Sequence, residues 1–215
     1  MKAWLKIEKI DNDMKVISSS QVLSESFLVA FLGVLQRQFA QLTGTANKTY
    51  LADILGETRL GDRCRSPIFC CTAGSGWFMP YYGADYDSPI DAEEMGLVVG
   101  ISPVAVTCKD RKLVSRIHHG VLSGELLRFG THLSNWVQNG ITCSFDIECI
   151  FRNSGSGDVV IQEVGLYGLG SSDGAYESGI GVKLYTNFGF IRDVVAPETI
   201  SIGEYVRVAY TLEID

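Results

Sequence analysis

Apolar and polar side chains alternate most cleanly in the last third of the chain. From Thr142 to Arg152, the residues Cys143, Phe145, Ile147, Cys149 and Phe151 fall on one face, while Thr142, Ser144, Asp146, Glu148 and Arg152 fall on the other. Period two marks a strand with one buried and one wet face. The run stops at Asn153-Ser154-Gly155-Ser156-Gly157-Asp158 and resumes with Val159, Val160 and Ile161, which predicts a hairpin turning on the glycines. Residues 205–214 alternate again, with Val206, Val208, Tyr210, Leu212 and Ile214 on one face. This strand is expected to pack beside the 143–151 stripe and to tie that end of the chain into a sheet.

The same pattern organises the rest. Residues 4–10 and 14–17 flank Asp11-Asn12-Asp13, a polar connection of hairpin length. Ser24 or Ser26 then stands where it caps a helix whose apolar residues Phe27, Leu28, Phe31, Leu32, Leu35, Phe39 and Leu42 recur at helical intervals up to Gly44. Buried strands are expected at 97–101 and 113–117, with others near 125–129, 159–167, 182–192 and 199–202. Residues 45–90 have no clean period and read as short strands and long loops. One helix among this many strands predicts a mainly β fold: a β-sandwich or jelly-roll-like sheet pair with an N-terminal β-hairpin and one amphipathic helix. The expected organisation is one β-rich domain over 1–215, with a hairpin-helix element over about 1–44 and a loop-rich insertion over about 60–90.

Composition narrows the function classes. The chain has 215 residues, 46% hydrophobic and 20% charged, a globular balance rather than a disordered one. Its 23 glycines and 5 prolines suit tight turns. The formal net charge is -7, and residues 141–215 hold 11 acidic against 4 basic side chains. That sign disfavours a surface that tracks phosphates, so nucleic acid is not an expected partner. The first residues alternate rather than forming a secretory leader, and the apolar stretch near 27–35 is too short to cross a bilayer, so no membrane partner is expected and the cysteines are expected to be reduced.

The candidate chemistry is sparse. His118 and His119 are adjacent, so on a strand they face opposite ways and cannot share a metal, and His132 stands alone. Cys64, Cys70 and Cys71 lack the paired spacing of a structural zinc site. Asp85, Asp87, Asp91, Glu93 and Glu94 crowd together without the glycine of an EF-hand loop, and read as a solvated acidic loop. Asn47-Lys48-Thr49 matches a glycosylation acceptor but carries no weight without a leader, and the glycine-rich 168–174 run lacks the lysine of a phosphate loop. No catalytic residue, metal or cofactor is expected. Glu163 stands out because it interrupts the apolar run Val159 to Tyr167. If buried it must be paired, and Gly165 is expected to mark a bulge whose backbone donors serve that carboxylate. Trp77, Phe78, Tyr81, Tyr82 and Tyr86 crowd into a segment of turn formers and read as an exposed, aromatic interface loop.

Several motifs in order carry a resemblance: Phe27-Leu28-Val29-Ala30-Phe31-Leu32, Leu97-Val98-Val99-Gly100, Ile117-His118-His119-Gly120, Phe151-Arg152-Asn153, Gln162-Glu163-Val164-Gly165-Leu166-Tyr167, Ile191-Arg192-Asp193-Val194-Val195 and Val208-Ala209-Tyr210-Thr211-Leu212. Together the chain resembles a recurrent β-rich structural protein of tailed-bacteriophage virions, and it departs from that pattern in the cysteine- and tyrosine-rich residues 60–90. The resemblance implies a non-enzymatic decoration, neck or peripheral tail component. Such a protein is made in the host cytoplasm, resides in the virion, and is a homo-oligomer that packs against copies of itself and other virion proteins. The competing expectation is a carbohydrate- or receptor-binding β-sandwich in which Trp77, Tyr81, Tyr82 and Tyr86 stack on sugars. A hydrolase using Asp85, Asp87 or Glu163 is weaker, since nothing fixes two carboxylates at a working separation.

Overall fold

A computed structural model describes residues 1–24, 26–28, 31–32, 50–52, 58–60, 78–79, 96–172 and 184–214. The fold is mainly β, with thirteen strands among the described residues: β1 (Lys2–Ile10), β2 (Val16–Ser24), β3 (Tyr50–Ala52), β4 (Thr58–Leu60), β5 (Phe78–Met79), β6 (Gly96–Gly100), β7 (Leu127–Arg128), β8 (His132–Leu133), β9 (Val137–Asn139), β10 (Thr142–Arg152), β11 (Val159–Ser172), β12 (Leu184–Ile200) and β13 (Tyr205–Ile214). The first sheet runs β2-β1-β13-β10-β7, with β8 and β9 also paired to β10. The second runs β12-β11-β5, with β6 also on β11, and β3-β4 form a separate hairpin. Every named pairing is antiparallel. Two sheets sharing one core make the sandwich that the alternation predicts.

β10 and β13 pair side by side with their apolar stripes on the same face, as expected. Phe145 lies opposite Leu212, Ile147 opposite Tyr210, Cys149 opposite Val208 and Phe151 opposite Val206. These residues join Ala3, Leu5 and Ile7 of β1 in a single cluster with Leu97, Val99, Ile161, Leu166 and Ile191 of the second sheet. The stripe thins at one end, however: Cys143 is exposed, Phe145 is half-buried, and Ile214 opposite Cys143 is exposed as well. The core therefore begins two residues further along β10 than the sequence pattern suggests. Sheet pairing outruns the cover that the second sheet supplies.

Three expectations need correction. Residues 153–158 do not close a hairpin, because β10 and β11 belong to different sheets. Asn153 instead organises a crossing between them. Its buried Nδ2 donates to the carbonyls of Gly157 and Ile200, each at 2.8 Å, and its Oδ1 accepts from the Gly155 N–H at 3.1 Å. Residues 113–117 form no strand but an irregular segment laid along β6, with the Ile101 N–H bonded to the Ser115 carbonyl and the Ile117 N–H to that of Val99, both at 2.9 Å. Finally, Ser24 caps no helix, since it ends β2 opposite Ala3. Of the expected helix, only Phe27, Leu28, Phe31 and Leu32 are described. Phe27 bridges to Ile191, and the N–H groups of Phe31 and Leu32 reach the Leu28 carbonyl. The rest of that helix lies outside the described residues, and the amphipathic helix is not shown. Among the described residues no helix is long and apolar enough to cross a membrane, which leaves open whether strands do.

Candidate functional site

Glu163 is fully buried and accepts three hydrogen bonds. It projects from the face of β11 turned away from the sheet-sheet core, together with Gly165 and Tyr167, while Val164 and Leu166 point into that core. The segment running from Ile101 to Ile117 covers this outer face. Its backbone supplies the carboxylate with donors: the Ser115 N–H gives to Oε1 at 2.8 Å and the Val114 N–H to Oε2 at 3.1 Å. Arg192 of β12, opposite Gly165 in register, completes the set by donating from Nε to Oε2 at 3.0 Å. Two register irregularities in β11 lie at Ile161/Glu163 and Leu166/Tyr167. Gly165 pairs regularly between them, so the donors come from a covering segment rather than from a bulge at Gly165.

The neighbouring residues explain why a charged pair survives there. Arg192 is 1% exposed, and its remaining nitrogens donate to Asp110 Oδ2 and, at 2.8 Å, to the Val104 carbonyl. One guanidinium therefore holds a β-strand carboxylate and two points of the covering segment, using the planar fork that distinguishes Arg from Lys. Burial alone would raise the Asp110 pKa, but bonds from Thr107 and Arg192 hold it below the ordinary carboxylate range. Gly100 stands opposite Glu163, and a methyl group there would meet Glu163 Oε1 and the Ser115 carbonyl at 2.5 Å each. Tyr167 adds a further tie by accepting a short hydrogen bond from the Leu113 N–H, and burial raises its phenol pKa well above the usual value. With both oxygens of Glu163 engaged by N–H donors, the arrangement clamps a segment onto a sheet.

The other expected residues fall in different places. Phe78 belongs to β5 and lies opposite Gly170, so it is part of a strand rather than of a loop. Trp77, Tyr81, Tyr82 and Tyr86 lie outside the described residues, as do Cys64, Cys70, Cys71, Asn47 and the acidic run 85–94. His119 accepts a bond from the Arg128 N–H at 3.1 Å through Nδ1, and His132 Nδ1 lies 3.6 Å from Glu148. Among the described residues no three metal-ligating side chains come together.

The surface carries a feature that the pattern reading passed over. β9 and β10 form a hairpin in which Asn139 pairs with Thr142, leaving Gly140 and Ile141 as a two-residue loop. Gly140 has φ +63°, the conformation wanted at the first position of a type II′ turn. The hairpin exposes Ile141 in its turn and Val137 in β9, and Trp136 immediately before β9 is exposed as well, at 87%, 62% and 69% respectively. The only sequence signal was an apolar Ile141 beside a turn glycine. In a strand-pattern reading it is absorbed as the start of β10.

No protein-family model, curated protein or solved structure matches the chain.

Proposed function

We propose that the chain is a non-enzymatic structural subunit of a tailed-phage virion, placed in the capsid, neck or tail, where it packs against other virion proteins and copies of itself. The observation that carries this reading is the β9–β10 tip. Exposed Val137 and Ile141 sit on this hairpin, and exposed Trp136 immediately precedes it. Covering such side chains gains roughly 1.5–3 kcal/mol each, and aromatic anchors on rigid supports are the usual energetic centres of interfaces. The buried Glu163–Arg192 network supports the same reading by bracing the second sheet, and in this reading the aromatic run from Trp77 to Tyr86 supplies a second contact. The virion setting rests on the ordered resemblance of the motifs given above.

A competition experiment tests it. The double variant Trp136→Ala, Ile141→Ser should melt like the wild-type chain yet enter particles at least about tenfold less well when both are present, since 1.4 kcal/mol of lost contact already gives that factor. Normal incorporation contradicts the proposal. Sugar binding on a glycan array, lost in the variant, would favour a receptor-binding sandwich instead.

A further inference from the structure

The segment that the Glu163–Arg192 clamp holds down is basic. Residues 101–117 contain Lys109, Arg111, Lys112 and Arg116 against the single carboxylate of Asp110, a net charge of +3. The whole chain is -7, so everything outside this segment sums to -10. The one carboxylate is turned inward: Asp110 accepts from the Thr107 N–H at 3.0 Å, from the Thr107 hydroxyl at 2.8 Å and from the buried Arg192 guanidinium. The Asp110 N–H closes the turn on the Thr107 carbonyl at 3.0 Å. Leu113 and Ile117 anchor the segment by burial, and Gly189 of β12 lets the Arg111 carbonyl approach, since a side chain there would collide with it. Lys109, Arg111 and Lys112 stand exposed around this fixed turn, and among the described residues no carboxylate is in ion-pair contact with them. Ile101, Val104 and Val114 of the same segment are 48%, 55% and 57% exposed.

We infer that this turn is a docking site for an acidic protein segment that carries aliphatic side chains among its carboxylates. Charge complementarity selects the sign, because the rest of the chain repels an acidic partner and the turn at 107–112 attracts it, so encounter is steered to one place. The exposed aliphatic side chains select the class. Duplex nucleic acid carries one negative charge per about 1.7 Å; it would meet the net -10 of the remaining chain and leave Val104 and Val114 in water. A short acidic segment confines its charge to the turn, and its own aliphatic side chains remove those two from water. Asp110 acts as a positioning residue: it withdraws its own charge and fixes the turn before a partner arrives, so the three cations are already ordered when binding begins. The segment covers the outer face of the second sheet, whereas β9 and β10 belong to the first. The site is therefore separate from the hairpin contact and independent of the virion setting.

Fluorescence anisotropy of the full chain with a labelled peptide of Glu-Glu-Leu repeats decides it. The wild-type chain should bind this peptide, bind a version with serine for leucine more weakly, and ignore a version with lysine for glutamate. Replacing Lys109, Arg111 and Lys112 together by Glu should weaken binding about tenfold or more at an unchanged melting temperature; if that variant melts early, the pair Lys109→Ser, Lys112→Ser replaces it, with a loss of about threefold or more. Val104→Ser with Val114→Ser should abolish the preference for leucine over serine in the peptide. Asp110→Ala makes the segment more positive, yet it should bind the peptide less well, because the turn loses its hold on Thr107 and Arg192; tighter binding would overturn the built site and leave only diffuse charge. The proposal also fails if the wild-type chain does not bind the peptide, or if the triple variant binds it equally well. Displacement of the peptide by duplex DNA of equal total charge at lower concentration would overturn it in favour of nucleic acid. Self-association in sedimentation that the triple variant loses, with no peptide binding, would overturn it in favour of a second copy.

Discussion

At the scale of the residue, the fold spends its buried polar groups on tying layers together. Glu163 receives three N–H donors and Arg192 distributes its own among Glu163, Asp110 and Val104. Glu163→Gln keeps the shape but must turn an NH2 group toward Ser115 N–H or toward Val114 and Arg192, setting donor against donor beside a buried guanidinium left with only Asp110 as its carboxylate partner. It should cost about 3–5 kcal/mol, read from the denaturant midpoint; a loss below about 1 kcal/mol would contradict the clamp. Tyr210 performs a related task between the sheets, donating to the buried Asp193 carboxylate at 2.7 Å. Burial first, and then the Asp193 charge, raise its phenol pKa. Tyr210→Phe should destabilise the fold by about 1–3 kcal/mol, and no change would show that another donor suffices for Asp193. The sequence made Glu163 conspicuous, as a carboxylate in an apolar strand, and required it to be paired. It did not disclose the partners: Arg192 lies 29 positions away, and Val114 and Ser115 act through backbone groups, which leave no trace in side-chain pattern.

At the scale of the element, alternation revealed strands and their inward faces but not which sheet each strand joins. The shared inward face of β10 and β13 followed from matching two period-two stripes, while their residue-by-residue register did not. The 153–158 run misleads because a glycine-rich connection looks alike whether it reverses a strand within a sheet or carries it to the opposite sheet. Asn153, whose side chain bridges to Ile200, decides between them. Residues 113–117 mislead because apolar alternation reports burial, which a covering segment also has. Connections here are braced by carboxylates. Burial would raise the pKa of Glu8, Asp110 and Glu204, but in each case hydrogen bonds and cationic neighbours outweigh it: Lys6 and Arg207 for Glu8, Thr107 and Arg192 for Asp110, Lys9 and the Ser201 N–H for Glu204. Each folded-state pKa is therefore lowered, so the stability these groups lend is present in full above the ordinary carboxylate pKa, near pH 4. It is lost as pH falls through the lowered folded values. Urea midpoints should be flat from neutrality down to about pH 5 and fall steeply below pH 4; a midpoint that rises on acidification would contradict these pairings.

At the scale of the whole molecule, a two-sheet core with one braced outer face presents three surfaces of different character. The outer face of the first sheet is charged and internally paired, as in Lys6–Glu8 at 2.7 Å and Arg207–Glu8 at 2.6 Å. The β9–β10 hairpin and the residue before it carry exposed apolar side chains, and β2 is exposed and uncharged. Thiol chemistry offers a check on the same layout: Cys108 and Cys143 are exposed, whereas Cys149 is buried, its thiol pKa raised by desolvation and its Sγ donating to the Phe129 carbonyl at 3.0 Å. Alkylation of the native chain should mark Cys108 and Cys143 and spare Cys149 until unfolding, as read by peptide mass spectrometry; early modification of Cys149 would mean that the β10 stripe is not core. Fold class and core were thus legible from alternation, whereas the apolar tip was not, because nothing in a sequence distinguishes an apolar side chain that begins a strand from one held into solvent by the turn before it. The central claim, that this sandwich works as an assembled part, is met most directly by quantitative mass spectrometry of gradient-purified phage particles. The account predicts the chain at a fixed, multiple copy number relative to the major capsid protein. Particles that lack it, or that carry only traces removed by further purification, would contradict it.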